Sequence, residues 1–228
     1  RLDIDTDFTP DMARIWSATP VDRRPDLYLW VESVNGYNPQ NLDALTCPKA
    51  VWLIDTHYHL DTAVKTAARF DYVFIAQLID LQTFREVYPN TYWLPLACDP
   101  EIHGRQIVPE QYDIGFVGSL NRRREEILDY LGEQFSVHRE RSFWTDMAHT
   151  FSASRIVLND ASFDDLNMRF FEALCSGSLL FSNPTNGSGQ DILFYDGEDY
   201  ICHHDHDLSD LAHSYLTNFR TRKTIAAT

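Results

Sequence analysis

The stretch that most limits what this chain can fold into lies between Val157 and Gly177, VLNDASFDDLNMRFFEALCSG. Val157–Asn159 is apolar and β-prone, and Ser162 with Asp165 three residues on predicts a capping-box-like helix start. Leu166, Phe170, Ala173 and Leu174 then recur at helical spacing and should face a core, while Asp165, Arg169, Glu172 and Ser176 line the other side one turn apart. Gly177 stops the helix, and Ser178–Ser182 reads as the next buried strand. A strand, a polar loop, an amphipathic helix and a second strand make the repeating unit of a parallel α/β sheet. In such sheets the loop beyond a strand's C-terminal end is where ligands are held.

The same alternation runs through the chain. Leu27–Glu32, Ala50–Ile54, Tyr72–Ala76 and Tyr92–Leu96 read as buried strands, with helical patterns at Pro39–Leu45, Leu60–Phe70 and Leu78–Tyr88 between them. After Pro95–Gln111, whose prolines, glycine and mixed charge suit an inter-domain linker, a second series begins. It comprises a strand at Ile114–Val117, a helix at Arg123–Leu131, a strand at Phe135–His138 and a helix at Phe143–Phe151, then the stretch above. Tyr200–Cys202 and Leu208–Leu216 extend it with a strand and a helix, and Arg220–Thr228 is again helical in pattern. The 228 residues thus divide into two βα series of about 110 residues each, a normal domain size, with expected domains at residues 1–108 and 109–228. The first shows fewer strands than a full doubly wound half-domain, even with a short strand at Leu2–Ile4, and is expected to be a truncated or minimal version.

Composition narrows the function classes. A net charge of -15 opposes nonspecific binding to nucleic acid or anionic membrane. Four scattered cysteines, with Cys98 and Cys175 in apolar surroundings, suggest core thiols in a reducing cytoplasm. No apolar run approaches the ~18 residues of a membrane span.

Three stretches carry candidate chemistry. In Tyr112–Glu126 a strand ends at Gly118-Ser119 and a helix opens on Arg122, Arg123 and Arg124. Helix-start amides beside a small residue form an anion site, and arginine forks match phosphate oxygens; the plainer reading is a turn before a solvated basic helix start. On the central helix, Asp164 or Glu172 could accept hydrogen bonds from a ribose diol, or Asp165 and Arg169 could be an ordinary surface pair. The loop Pro184–Gln190, with Gly187, offers backbone amides to sugar hydroxyls or phosphate, or is merely a turn. The third stretch is Leu53–Asp61, LIDTHYHLD, where Asp55, His57 and His59 alternate along an expected strand end and would share a face. Two histidines and a carboxylate so placed could hold a metal, as in TatD-like and amidohydrolase barrels, or could be structural polar residues. The later histidines, His203, His204 and His206, fall in an exposed-looking acidic turn, and the tryptophans mostly read as core.

The order of motifs, with PDLYLWVES, VWLIDTHYHLD, FDYVFIAQ and WLPLACDPEIH followed by YDIGFVGS…RR and N-x-R-x-FEALCSG, resembles the CgeB-like (spore-maturation-like) glycosyltransferases from about Pro25 to Leu216. That resemblance implies a GT-B architecture of two Rossmann-like, doubly wound parallel-sheet domains facing across a cleft. It implies a nucleotide-sugar donor, such as a UDP- or GDP-sugar, held mainly by the second domain, with no metal and no further cofactor. Carried over by position, Gly118, Ser119 and Arg123 would lie by the diphosphate, and Asn167, Arg169 and Glu172 at the nucleotide and sugar. Glu172 matches the last glutamate of the family's acidic pair, whereas the first is Asp164, a departure from glutamate. His57 and Asp55 are the candidate base if the reaction inverts, and would orient the acceptor if it retains. The acceptor itself, a glycan, protein or small molecule, is not specified. A metal-dependent hydrolase using Asp55, His57 and His59, or a noncatalytic nucleotide-sugar-binding module, are the competing classes.

Overall fold

In the computed structural model, which describes residues 9–32 and 38–227, the alternation resolves into two parallel sheets. The chain clusters into two compact units, Arg1–Pro95 and Leu96–Thr228. Residues 96–108, which the sequence reading assigns to the first half, cluster with the second.

The first unit contains α1 (Met12–Ala18), β1 (Tyr28–Val31), β2 (Lys49–Leu53), α2 (Leu60–Ala67), β3 (Tyr72–Ile75), α3 (Leu81–Val87) and β4 (Thr91–Trp93). Its four strands are parallel and lie in sequence order. Alternate residues split between the faces, as a period of two demands. Val51, Leu53, Val73 and Ile75 bury against Met12 and Trp16 of α1, Ala63 and Ala67 of α2 and Phe84 of α3. The opposite face carries Val31, Trp52, Phe74 and Tyr92 in register across all four strands, and Leu29, Val31, Tyr72 and Tyr92 there are exposed. Helix α1 has no counterpart in the sequence reading; Asp11 caps it, accepting from the Ala13 and Arg14 amides at 3.0 and 3.3 Å. The helix expected at Pro39–Leu45 is a single 3-10 turn, Leu42–Ala44, because Asn41 before it is left-handed (φ 56°) and cannot continue a helix. The expected strand at Leu2–Ile4 lies outside the described residues.

The second unit contains α4 (Pro100–His103), β5 (Tyr112–Val117), α5 (Arg122–Gly132), β6 (Val137–Glu140), α6 (Trp144–Ser152), β7 (Ser154–Asn159), α7 (Met168–Cys175), β8 (Leu179–Ser182), α8 (Gln190–Leu193), β9 (Ile201–Cys202), α9 (Leu208–Thr217) and α10 (Phe219–Ile225). All strands are parallel, in the order β6-β5-β7-β8-β9. Both faces are covered. Ile114, Phe116, Ile156, Leu158 and Phe181 pack with Leu128 of α5, Ala212 of α9 and Ile225 of α10. On the other face Val117, Val157 and Leu180 pack with Phe151 of α6 and Phe170 and Ala173 of α7. Crossovers running first one way and then the other from β5 produce this double winding.

Several expectations are corrected here. The segment read as a linker is docked on the second unit: His103 is buried, Arg105 Nη1 donates to the Gly177 carbonyl at 2.9 Å, and the Gln106 amide donates to Ser152 Oγ at 3.0 Å. Nearby, Glu110 pairs with Arg155, Arg222 and Lys223 and so ties α10, through the buried Arg222, to the start of β5. Trp144 is exposed rather than core. Helix α7 begins at Met168 with Asn167 as its cap, the Phe170 amide donating to Asn167 Oδ1 at 3.2 Å. It does not begin at Ser162, because Phe163 and Asp164 are both left-handed (φ 57° and 55°) and break any helix there. Among the described residues no helix is long and apolar enough to cross a membrane.

Candidate functional site

The strand order of the second unit reverses between β5 and β7, the switch point at which parallel open sheets leave a crevice beyond their strand ends. The first sheet, in plain sequence order, has no such reversal among its described strands. At the crevice β5 ends on Val117-Gly118 and β7 ends on Asn159-Asp160. Arg169 reaches across both from α7, donating from Nε to the Val117 carbonyl at 2.6 Å and from Nη1 to Asn159 Oδ1 at 3.0 Å. Its guanidinium lies 4.6 Å from the Phe116 ring centroid. Burial, with the neighbouring Arg124 charge adding to it, pulls the Arg169 guanidinium down to about 10, against the pull of Glu172, Asp160 and Asp165. Asn159 is fixed in turn, accepting from Asn167 Nδ2 at 3.2 Å and donating to Ser182 Oγ at 3.0 Å.

Gly118 has φ +152°, and a Cβ there would stand 2.1 Å from Arg169 Nη2. The position requires glycine on both counts. Beyond it Asn121 caps α5, accepting from the Arg124 amide at 2.9 Å. The arginines that crowd this helix start against its dipole are offset by a buried carboxylate. Arg123 Nε donates to Asp160 Oδ1 at 2.9 Å, and Arg124 donates from Nε and Nη2 to the Asp160 carbonyl at 3.1 and 2.6 Å and from Nη1 to the Ser119 carbonyl at 2.9 Å. Arg123 also forms a two-point fork with Asp205, 2.8 Å from Nη1 and 2.6 Å from Nη2.

Glu172 stands one turn along α7 from Arg169. Its Oε1 is 3.5 Å from His103 Nε2. The Asp99 amide donates to His103 Nδ1 at 3.0 Å, which leaves the ring proton on Nε2, facing Glu172. Burial raises the Glu172 carboxyl, while His103 and Arg169 oppose the rise. Asp164 is held in the loop before α7, where its Oδ1 accepts from the Asn186 amide at 2.8 Å, one residue before Gly187 (φ 71°). Gly118, Ser119, Arg123, Asn167 and Arg169 therefore converge on the crevice, with Glu172 a turn away and Asp164 and Gly187 on two loops joined to each other.

On the first unit, Asp55 and His57 follow the C-terminal end of β2. The alternating strand face that would present Asp55, His57 and His59 together is absent. The segment is a turn, with the Tyr58 and His59 amides donating to the Asp55 and Thr56 carbonyls at 3.1 and 3.2 Å. The Ile54 amide donates to Glu32 Oε2 at 2.8 Å, and Thr56 Oγ1 donates to Asp80 at 2.5 Å. Among the described residues the His57 ring nitrogens have no hydrogen-bond partner, and its ring rests 4.1 Å from that of Tyr58. Among the described residues no three His, Cys, Asp or Glu side chains are grouped to hold a metal ion.

Sequence reasoning missed Asp160, Asp205, His103 and His203. Asp160 is the first polar acid after the β7 run, a position that could have flagged it. His203, read as part of an exposed turn, is fully buried: its amide donates to the Ser182 carbonyl at 3.1 Å and prolongs the β8–β9 ladder. Among the described residues its ring nitrogens have no side-chain partner, and burial lowers its basicity.

Solved structures share the fold. A sucrose-phosphate synthase (tll1590) from Thermosynechococcus elongatus superposes with a TM-score of 0.64 at 10% identity, over 94% of this chain and 70% of that one. Anabaena Alr3699/HepE, solved in complex with UDP and glucose, gives 0.64 at 14% identity over 89% and 71%. TarM gives 0.60 at 10% identity over 88% and 50%. At such identities the likeness establishes the fold, a GT-B-like succession of two Rossmann-like units. No curated protein matches the chain. The glycosyl transferase-like family model matches residues 106–228, which takes in Gly118, Arg123, Asp160, Arg169 and Glu172, though not His103, and more than half of the sequence, so the chain belongs to the glycosyl transferase-like family.

Proposed function

We propose that the chain transfers a sugar from a nucleoside-diphosphate sugar to an acceptor hydroxyl, in the manner of the CgeB-like branch it resembles. The observation that carries this reading is the switch-point crevice between β5 and β7, floored by a glycine and bordered by Arg123, Arg124 and Arg169. The leaving diphosphate would gain its charge stabilisation from fixed guanidinium groups and the amides at the start of α5, so no metal ion is required. Gly118, Ser119 and Arg123 would contact the diphosphate, and Asn167 and Arg169 the donor beside it. Glu172, oriented by His103, would accept from the ribose hydroxyls, with Asp164 and Gly187 bordering the sugar. A uridine nucleotide is the favoured donor base, since Alr3699/HepE is described with UDP and with UDP-glucose and shares the fold. His57 and Asp55 of the first unit are the proposed base for an inverting reaction, a neutral imidazole being suited to proton transfer near pH 7.

The test is calorimetric titration of the chain with UDP, GDP and uridine, repeated on Glu172→Gln, followed by hydrolysis assays on UDP-sugars with and without chelator. A ligand at about 100 times its Kd should stabilise the chain by about 2.7 kcal/mol. Stabilisation by neither diphosphate at millimolar concentration would sink the donor assignment, and loss of turnover in chelator would sink the metal-free mechanism.

A further inference from the structure

Arg123 is the exposed cation of the crevice, yet its donors are already engaged by carboxylates. Guanidinium offers two edges to a planar oxyanion, an end-on edge from Nη1 and Nη2 and a side-on edge from Nε and Nη2. Asp205 takes the first, at 2.8 and 2.6 Å. Asp160 takes Nε of the second, at 2.9 Å. A phosphate seeking a two-point grip on Arg123 therefore meets no free edge, and one carboxylate must leave.

The two carboxylates are not equally able to do so. The Asp160 side chain is 1% exposed and also lies 3.6 Å from Arg124 Nε; removing its partner would strand a buried charge. The Asp205 side chain is 61% exposed and sits in the turn His203–Asp207, whose exposed members can turn to water. Its carboxyl is held below the usual range by the Arg123 hydrogen bond, so this is a formed ion pair at neutral pH. An exposed pair of this kind has modest stability and is the contact a diphosphate can displace.

We propose that Asp205 is a built-in stand-in for the donor phosphate, occupying the end-on edge of Arg123 until a nucleoside diphosphate displaces it, and that this competition sets the affinity threshold of the site. This deepens the functional reading above and rests on Arg123 contacting the diphosphate. Held by Asp160 and Asp205, Arg123 is charge-compensated. Only a ligand with enough phosphate charge to exchange with a carboxylate is held there.

The experiment is calorimetric titration of the full chain with UDP, and with uridine as the phosphate-free probe, on wild type, Asp205→Asn, Asp205→Ala, Arg123→Gln and Glu126→Gln. Glu126 is an acid on the same helix, paired with Arg122, and takes neither edge of the Arg123 guanidinium, whose donors go to Asp160 and Asp205, so its neutralisation controls for net charge. Both Asp205 variants should bind UDP about three- to fivefold more tightly than wild type, the scale of an exposed two-point pair. Their uridine affinity should be unchanged, and Glu126→Gln should change UDP affinity by less than about 1.5-fold, because an exposed charge that occupies no edge of Arg123 leaves nothing for the phosphate to displace. If Arg123→Gln weakens UDP binding while the Asp205 variants leave it unchanged or weaker, Asp205 orients Arg123 and the stand-in proposal is overturned. If Glu126→Gln gives the same gain as the Asp205 variants, the effect is net charge and the proposal again fails. If Arg123→Gln leaves UDP affinity intact, it is the diphosphate assignment of Arg123 that falls, a distinct result.

Discussion

Substituting Gly118 by alanine tests the crevice most directly. Two costs are legible in the structure. The backbone sits at φ +152°, a region nearly reserved for glycine, and forcing a side chain there costs about 1–3 kcal/mol. The added Cβ also stands 2.1 Å from Arg169 Nη2. That atom ends a long side chain, which could normally swing away cheaply. Here its neighbours Nε and Nη1 are pinned to Val117 and Asn159, so retreat gives up at least one hydrogen bond from a charged donor, about 1.5–3 kcal/mol. Alanine recovers roughly 0.4–1 kcal/mol by restricting the unfolded chain. The net expected loss is about 2–5 kcal/mol, a large share of the ~5–15 kcal/mol that holds a domain together. Because the chain has two units, a single melting curve would mix them; hydrogen exchange of β5 and β7 amides isolates the second. The decisive comparison is a double-mutant cycle with Arg169→Ala. With the guanidinium gone only the backbone strain remains, so the two substitutions should couple by about 1.5–3 kcal/mol. Additive losses, or a Gly118→Ala cost under about 1 kcal/mol, would refute the claim that Arg169 is pinned against this glycine.

Two other perturbations have worked signs. Burial lowers the pKa of His203 in the fold, against the pull of Asp160, Asp207 and Asp205, so as pH falls the unfolded chain, which protonates it near about pH 6.5, takes up its proton first. The unfolded state then binds the extra proton, so stability should fall as pH drops below about 6.5, by at most ~1.4 kcal/mol per pH unit; His203→Leu should flatten that slope in urea titrations between pH 5 and 7.5, and an unchanged slope counts against the assignment. Glu110→Ala leaves the buried Arg222 without its carboxylate, an expected loss of about 3 kcal/mol, read as faster hydrogen exchange in α10; exchange rates equal to wild type would show that Arg222 has another outlet.

The parts of the fold that sequence reveals are those that local chemistry decides. β5, β7 and β8 are apolar runs bounded by turn residues, and α5 and α7 carry helical periodicity, so their existence and part of the crevice set (Gly118, Arg123, Arg169) follow from patterning, whereas Asn167 is reached through the family resemblance. The start of α7 does not. Ser162 and Asp165 form a plausible cap by spacing, but Phe163 and Asp164 are turned left-handed in a loop that Asp164 ties to the Asn186 amide. That contact spans 22 residues and has no local signature. The partnership of Arg123 with Asp160 and Asp205 is hidden for the same reason, since it depends on where β7 and β9 end relative to α5. The histidines of the LIDTHYHLD string misled in the opposite direction, because alternation implies a shared face only if the backbone stays extended, and it turns at Thr56.

The four-strand sheet of the first unit has a practical consequence. Parallel sheets ordinarily have helices on both sides, but among the described residues no helix covers the side bearing Leu29, Val31, Tyr72 and Tyr92, and all four are exposed. A native, fully folded sample should therefore bind a fluorescent apolar dye such as anilinonaphthalene sulfonate before any denaturant is added, and its colloidal behaviour should respond more to mild detergent than to ionic strength.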